Sequence, residues 1–169
     1  TGWELGNPAA DQAQGPFLNP VEQALPDNAC VVFFVCMAAY PISFEDVWGP
    51  VHCVGLPYAE PAVTREAAGE ADIHNHEQAM AWLTRAARSK VPAGERSVCV
   101  AHCFVAGGEE SESERPLSVG GASAVPKSVF EGFSYTALGH LHRPQRLGDR
   151  VHYSGSLLKY SFSEIPHVK

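Results

Sequence analysis

The sequence predicts an α/β domain of the α+β sandwich kind, on three observations. Short apolar runs rich in β-branched residues lie on either side of one clearly amphipathic segment. The last third breaks into brief apolar stretches divided by glycine turns, the punctuation of strands rather than helices. A length of 169 residues, 45% apolar and 18% charged, is enough for one domain with a real core and too little for two comfortable ones.

Taken in order, residues 1–28 are rich in Gly, Pro, Asn, Gln and Ala and show no period of 2 or 3.6. They read as irregular, and residues 1–38 are set apart as an unassigned leader. Within it, CVVFFVCM at 30–37 has the continuous apolar character of a buried strand. PVHCVGLPY at 50–58 reads as a second strand, stopped by Pro57. Residues 72–89 place Ile73, Met80, Leu83 and Ala87 near helical spacing, which predicts a helix with Asp72 as N-cap, ended by Pro92 and Gly94. Trp82 falls in that helix as a core residue. SVCVAHCFV at 97–105 is a β-branched run containing a histidine, and a long glycine- and acid-rich loop follows it. FSYTALGH supplies a further strand, and RVHYSGS with KYSFSE reads as a final pair of short strands.

Composition excludes several classes. The longest apolar run, residues 29–40, is well short of the roughly 20 residues a membrane-crossing helix needs, so no membrane partner is expected. Nothing resembles a secretory signal, and cytoplasm is the default compartment, although a chain opening on Thr1 is expected to be processed or truncated. The five cysteines (Cys30, Cys36, Cys53, Cys99, Cys103) form no C-x-x-C pair, and reduced thiols are expected. A net charge of −7 opposes binding nucleic acid by bulk electrostatics. From Gly139 onward, however, Arg143, Arg146, Arg150, Lys159 and Lys169 face only Asp149 and Glu164, so a polyanion would be met in the last third.

The chemistry concentrates in GHLHRPQRLGDRVHYSGS, residues 139–156. Imidazoles at i and i+2 cannot share one face of a regular strand, but His140 and His142 can converge in a loop at a strand's end. Gly139 is expected to permit the backbone angles and close approach such a loop needs. His102 ends another predicted strand. Ligands gather outside the carboxyl ends of strands in α/β sheets, so the three histidines are expected at one rim. His74 and His76 repeat the H-x-H spacing at the start of the predicted helix, and are expected to remain there, exposed and apart. The acidic run from Glu109 to Glu114 reads as a solvated face. Arg143 and Arg146 are open to either of two roles, contact with DNA phosphate or plain solvation.

The blocks VAHCFVAGGEESESERPLSVGG, YTALGHLHRPQ and VHYSGSLLKYSFSE, in that order, closely resemble the C-terminal half of the calcineurin-like metallophosphoesterase domain of SbcD-type nuclease subunits. The likeness runs from about Tyr40 to Glu164, and residues 39–164 are identified with that half-domain. Cys103, and Leu157 where proline is usual, depart from the pattern. The resemblance implies a two-manganese phosphodiesterase site with His102 and His140 on one metal and His142 on the other. It also implies DNA as substrate, cleaved as a double-strand exonuclease and single-strand endonuclease, a homodimer, and partnership with the SbcC ATPase subunit in DNA repair.

The family's D-x-H motif, bridging aspartate and G-N-H-D/E block are not matched here: Asp72-Ile73-His74 spells D-x-H but falls at the start of the predicted helix, and no glycine precedes an Asn-His pair. Gly6-Asn7 is followed by Pro8, not histidine. Three neutral imidazoles offset none of the charge of two divalent ions. The chain is therefore expected to be a fragment, a four-layer domain incomplete at its N-terminal half, with 165–169 opening a capping region and metal binding weak or incomplete. No catalytic or substrate-binding residue is assigned. Two other readings stay open: a non-catalytic remnant with structural histidines, and a phosphodiesterase of small substrates.

Overall fold

The structure, a computed structural model, describes residues 41–111, 124–159 and 161–165. The expected strand at 30–37 and the rest of the leader lie outside them, as do Cys30, Cys36 and the centre of the long loop. The strands and α-helices among the described residues are β1 (Ile42–Asp46), β2 (Gly49–Leu56), α1 (Pro61–Ala68), α2 (His76–Arg88), β3 (Arg96–His102), β4 (Tyr135–Gly139), β5 (Gln145–Arg146) and β6 (Val151–Tyr153), with short 3-10 turns at Lys127–Phe130 and Phe162–Glu164. The strands form one mixed sheet in the order β1-β2-β3-β4-β6-β5. Its four inner strands run parallel to one another, and β1 and β5 pair antiparallel to them at the two edges.

Alternation within β2 and β3 sets the layers. Val54, Leu56, Cys99 and Ala101 point to one face and are almost wholly removed from water, while Val51, Cys53, Val98 and Val100 on the other face are half-buried. Helix α2 contributes Ala79, Met80, Leu83 and Ala87 to the same core, all at 0% exposure, and Trp82 packs against that core from a half-buried position. Full burial of Met80 and Leu83 stabilises the fold by roughly 1.5–3 kcal/mol each.

The helix starts later than its sequence suggests. Asn75, not Asp72, is the N-cap: its side chain accepts from Gln78 N at 2.8 Å, while Gln78 Oε1 accepts from His74 N at 2.8 Å. This reciprocal pairing satisfies two otherwise orphaned amides and outcompetes a cap three residues upstream. KYSFSE is a second correction. Phe162–Glu164 is a single 3-10 turn, and the strand partner of Val151–Tyr153 is the earlier Gln145–Arg146. Helix α1 had no clear apolar period, since only Thr64 is buried in it. It is defined by Pro61 in its first turn and by Gly69, whose φ of 66° closes the C-terminus. Among the described cysteines, Cys53, Cys99 and Cys103 are free thiols. Burial pushes Cys103 up to about 12, so it is protonated and unreactive at neutral pH.

Two polar contacts fasten the β1–β2 hairpin to the start of β3. Arg96 forks onto Asp46, with Nη1 donating to Oδ2 at 3.0 Å. The buried His52 meets Ser43 Oγ at 2.8 Å through Nδ1 and Glu95 through Nε2. A carboxylate only accepts, so Nε2 carries the proton and Nδ1 accepts from the serine. Removing the carboxylate strands a buried donor. Glu95→Ala is expected to destabilise the domain by about 1–3 kcal/mol in urea unfolding, whereas Ser43→Ala, whose hydroxyl borders solvent, should cost less.

Candidate functional site

The site is built by strand register. β3 and β4 run parallel with His102 opposite Gly139, the final residues of their strands, so the chain delivers His102 and then His140 to one carboxyl rim. Their side chains meet: His140 Nδ1 lies 3.1 Å from His102 Nε2, with ring centroids 5.0 Å apart and planes at 84°.

The backbone is strained at this point. Among the described residues His140 is the one non-glycine at positive φ, 113°, a region that side chains with a Cβ rarely enter. Such strain, of order 1–3 kcal/mol, persists where surrounding structure over-determines it. Sequence had assigned the unusual angle to Gly139; the structure moves it one residue on. Gly139 serves the close approach instead, since a Cβ there would stand 3.1 Å from His102 Nδ1.

His142 has a different partner. Its Nδ1 donates to Glu164 Oε1 at 2.9 Å, and Glu164 is only 1% exposed. The pairing fixes the tautomer that leaves the lone pair on Nε2, which is how a carboxylate orients a metal-binding imidazole. The loop bearing His142 is clamped from behind by Ser156 N, which donates to His142 O at 3.0 Å. Gly155, with φ 75°, is indispensable to that clamp: a Cβ would come within 2.7 Å of Pro144 Cδ and 2.8 Å of His142 O. Tyr153 secures the adjoining segment, its buried hydroxyl donating to Cys103 O and accepting from Val105 N.

Among the described residues no group of three or more His, Cys, Asp and Glu side chains is arranged to hold a metal ion. Of the three expected histidines, the structure brings His102 and His140 into contact and gives His142 to Glu164. His74 is exposed at the start of α2. His76 is less remote than expected: half-buried, it reaches Tyr58, whose ring borders both His102 and His140. Glu164, Gly155 and Tyr58 are the site residues that sequence reasoning left unassigned. Gly155 and Glu164 carried a signal only as letters of the block VHYSGSLLKYSFSE. Arg143, one of the two basic residues near the loop, is held by Glu109 at 2.5 Å.

The 3.1 Å contact is a hydrogen bond in which one ring nitrogen donates to the other; with that shared proton displaced, the same spacing would let both nitrogens meet one cation. Bonds of about 2.1 Å at angles between 90° and tetrahedral separate two nitrogens by about 3.0–3.4 Å. His102 lies at the rim, and partial burial of its ring, which penalises the charged form, lowers its pKa below the ordinary 6.5, so the imidazole stays neutral at pH 7. No protein-family model matches the sequence.

Two outcomes follow. At position 140 the usual ranking of substitutions should invert: His140→Gly relieves the strained φ and is expected to be more stable than His140→Ala by about 1 kcal/mol or more in urea melts. Acid should weaken the fold through His102. Its native pKa is lowered, so the unfolded chain binds the proton more readily, and the stability present above about pH 6.5 is lost as pH falls through the lowered value. Urea midpoints measured between about pH 8 and pH 5 should show a smaller acid-side loss in His102→Gln.

Proposed function

We propose that this chain carries the histidine-bearing half of a calcineurin-like metallophosphoesterase domain of the SbcD type, which hydrolyses DNA phosphodiester bonds as part of a repair nuclease. The observation that carries the reading is the contact of His102 with His140 at the ends of two adjacent parallel strands, across a backbone strained at the second ligand. A protein retains such strain where side-chain placement matters more than stability. The buried Glu164 behind His142 adds a third oriented imidazole on the same loop.

In this reading His102 and His140 share one manganese and His142 faces a second. The metals, when bound, would polarise the phosphate and supply a hydroxide nucleophile. The chain's own part is to present neutral nitrogens at a fixed spacing and to hold the tautomer of His142. Carboxylate ligands and a leaving-group acid would come from D-x-H and G-N-H motifs of an N-terminal half: the D-x-H letters present here, Asp72-Ile73-His74, lead into α2, and G-N-H does not occur. The half-buried face of Val51, Cys53, Val98 and Val100 is an apolar surface on which a further layer can pack. DNA, a second copy of the nuclease and the SbcC ATPase are the proposed partners. No helix among the described residues is long and apolar enough to cross a membrane.

One observation favours a second reading, a non-catalytic remnant with structural histidines: the described residues hold no group of three metal-binding side chains. Activity separates the two. The 169-residue chain supplied with manganese is expected to degrade linear duplex DNA no faster than background. Joined to an N-terminal half bearing D-x-H and G-N-H, it should gain manganese-dependent exonuclease activity, and His142→Ala in that protein should abolish cleavage while its circular dichroism stays unchanged. A joined protein that folds and remains inactive supports the remnant.

A further inference from the structure

Tyr58 lies two residues past the end of β2, which is parallel to β3, so it arrives at the same carboxyl rim as His102 and His140. Its ring is nearly parallel to that of His140, at 11° and 6.4 Å between centroids, and meets His102 edge-on at 76° and 6.2 Å. Together with the 5.0 Å contact between the imidazoles, this closes a triangle of three aromatic rings at separations where such pairs attract.

The tyrosine is itself held. His76 Nδ1 lies 2.9 Å from the carbonyl oxygen of Ala59, which only accepts, so Nδ1 carries the proton and Nε2 is an acceptor. The Tyr58 hydroxyl, 3.3 Å away, donates to it. His76 is the first residue of α2, whose next turn is locked into the core by Ala79 and Met80. Behind the ring is a cavity of about 10 Å³ lined by Tyr58, Ala59, His76, Met80, Cys103 and Phe104. That is room for about one water beside the ring.

We infer that Tyr58, anchored by His76, is a positioning residue that fixes the ring orientations of His102 and His140 for shared binding of a divalent cation. Imidazole rotation about its second torsion is soft, with broad and roughly two-fold minima. A neighbouring ring fastened to a core helix narrows it. The inference rests on the metal reading of the pair only for the ligand; the ring geometry stands apart from it.

The test uses the whole 169-residue chain. Long-range ¹⁵N–¹H spectra of the metal-free protein report the tautomer and averaging of each imidazole, and titration with Co²⁺ reports binding. Tyr58→Phe keeps the ring but loses its bond to His76, and is expected to shift the His76 signal and to change the His102 and His140 signals and the Co²⁺ affinity by less than Tyr58→Ala does. Tyr58→Ala should collapse the distinct His102 and His140 signals toward averaged ones and weaken Co²⁺ by about 10–100-fold, the usual effect of losing an orienting neighbour. Circular dichroism identical to the parent keeps the comparison valid. A Tyr58→Ala protein with parental imidazole signals and parental Co²⁺ affinity overturns the inference. If the parent chain takes up no Co²⁺, as weak binding without the carboxylate ligands allows, the imidazole signals alone decide the positioning role, and parental signals in Tyr58→Ala overturn it.

Discussion

The parallel pairing of β3 with β4 is the constraint on which everything else at the rim depends. It fixes His102 against Gly139, and through Gly139 it fixes where His140 can begin. A slip of one residue would turn every side chain of the strand to the opposite face, burying an imidazole and exposing Cys99 or Leu138. The alternation of buried residues along both strands opposes that slip at several positions at once, so the core holds the register and the register holds the ligand spacing.

Two glycines convert that spacing into contact, by different means. Gly139 leaves room for an imidazole from the neighbouring strand, and Gly155 leaves room for the underside of the loop carrying His142. Neither is needed for a freer backbone alone. At Gly155 two segments approach more closely than a methyl group allows, at Gly139 one would press on the imidazole of His102, and each lies beside a histidine. The strained residue is the histidine, which is the reverse of the usual arrangement, where glycine takes the unfavourable angle and the side chain is spared.

Much of this was legible in the sequence because it is written in burial. β2, β3, β4 and the body of α2 follow from alternating or helical apolar positions, and the convergence of His102 with His140 follows from where those strands end. β1 was not legible: in ISFED only Ile42 and Phe44 are apolar, and four of its five residues are exposed. It exists through cross-strand pairing with β2 and through Asp46 and Ser43, contacts that no period records. Helix α2 was misplaced at its start because Asp72 and Asn75 are both good caps, and only the reciprocal bond with Gln78 chooses between them. Tyr58 and Glu164 reach the site across long stretches of chain, from positions that composition describes equally well as surface.

The bridge between Val105 and Val125 has a further consequence. The two residues pair in parallel at the base of the long acidic loop, with Val125 N donating to Phe104 O at 2.8 Å and Ala106 N to Val125 O at 2.9 Å. Once the base is closed, doubling the chain between its ends costs only about 0.6 kcal/mol of closure entropy. Length is thereby uncoupled from the geometry of His102 three residues upstream. On the near side of the loop Glu109 also binds Arg143 and Gln145, so the bridge and these contacts together tie the loop's base to the segment that carries His142.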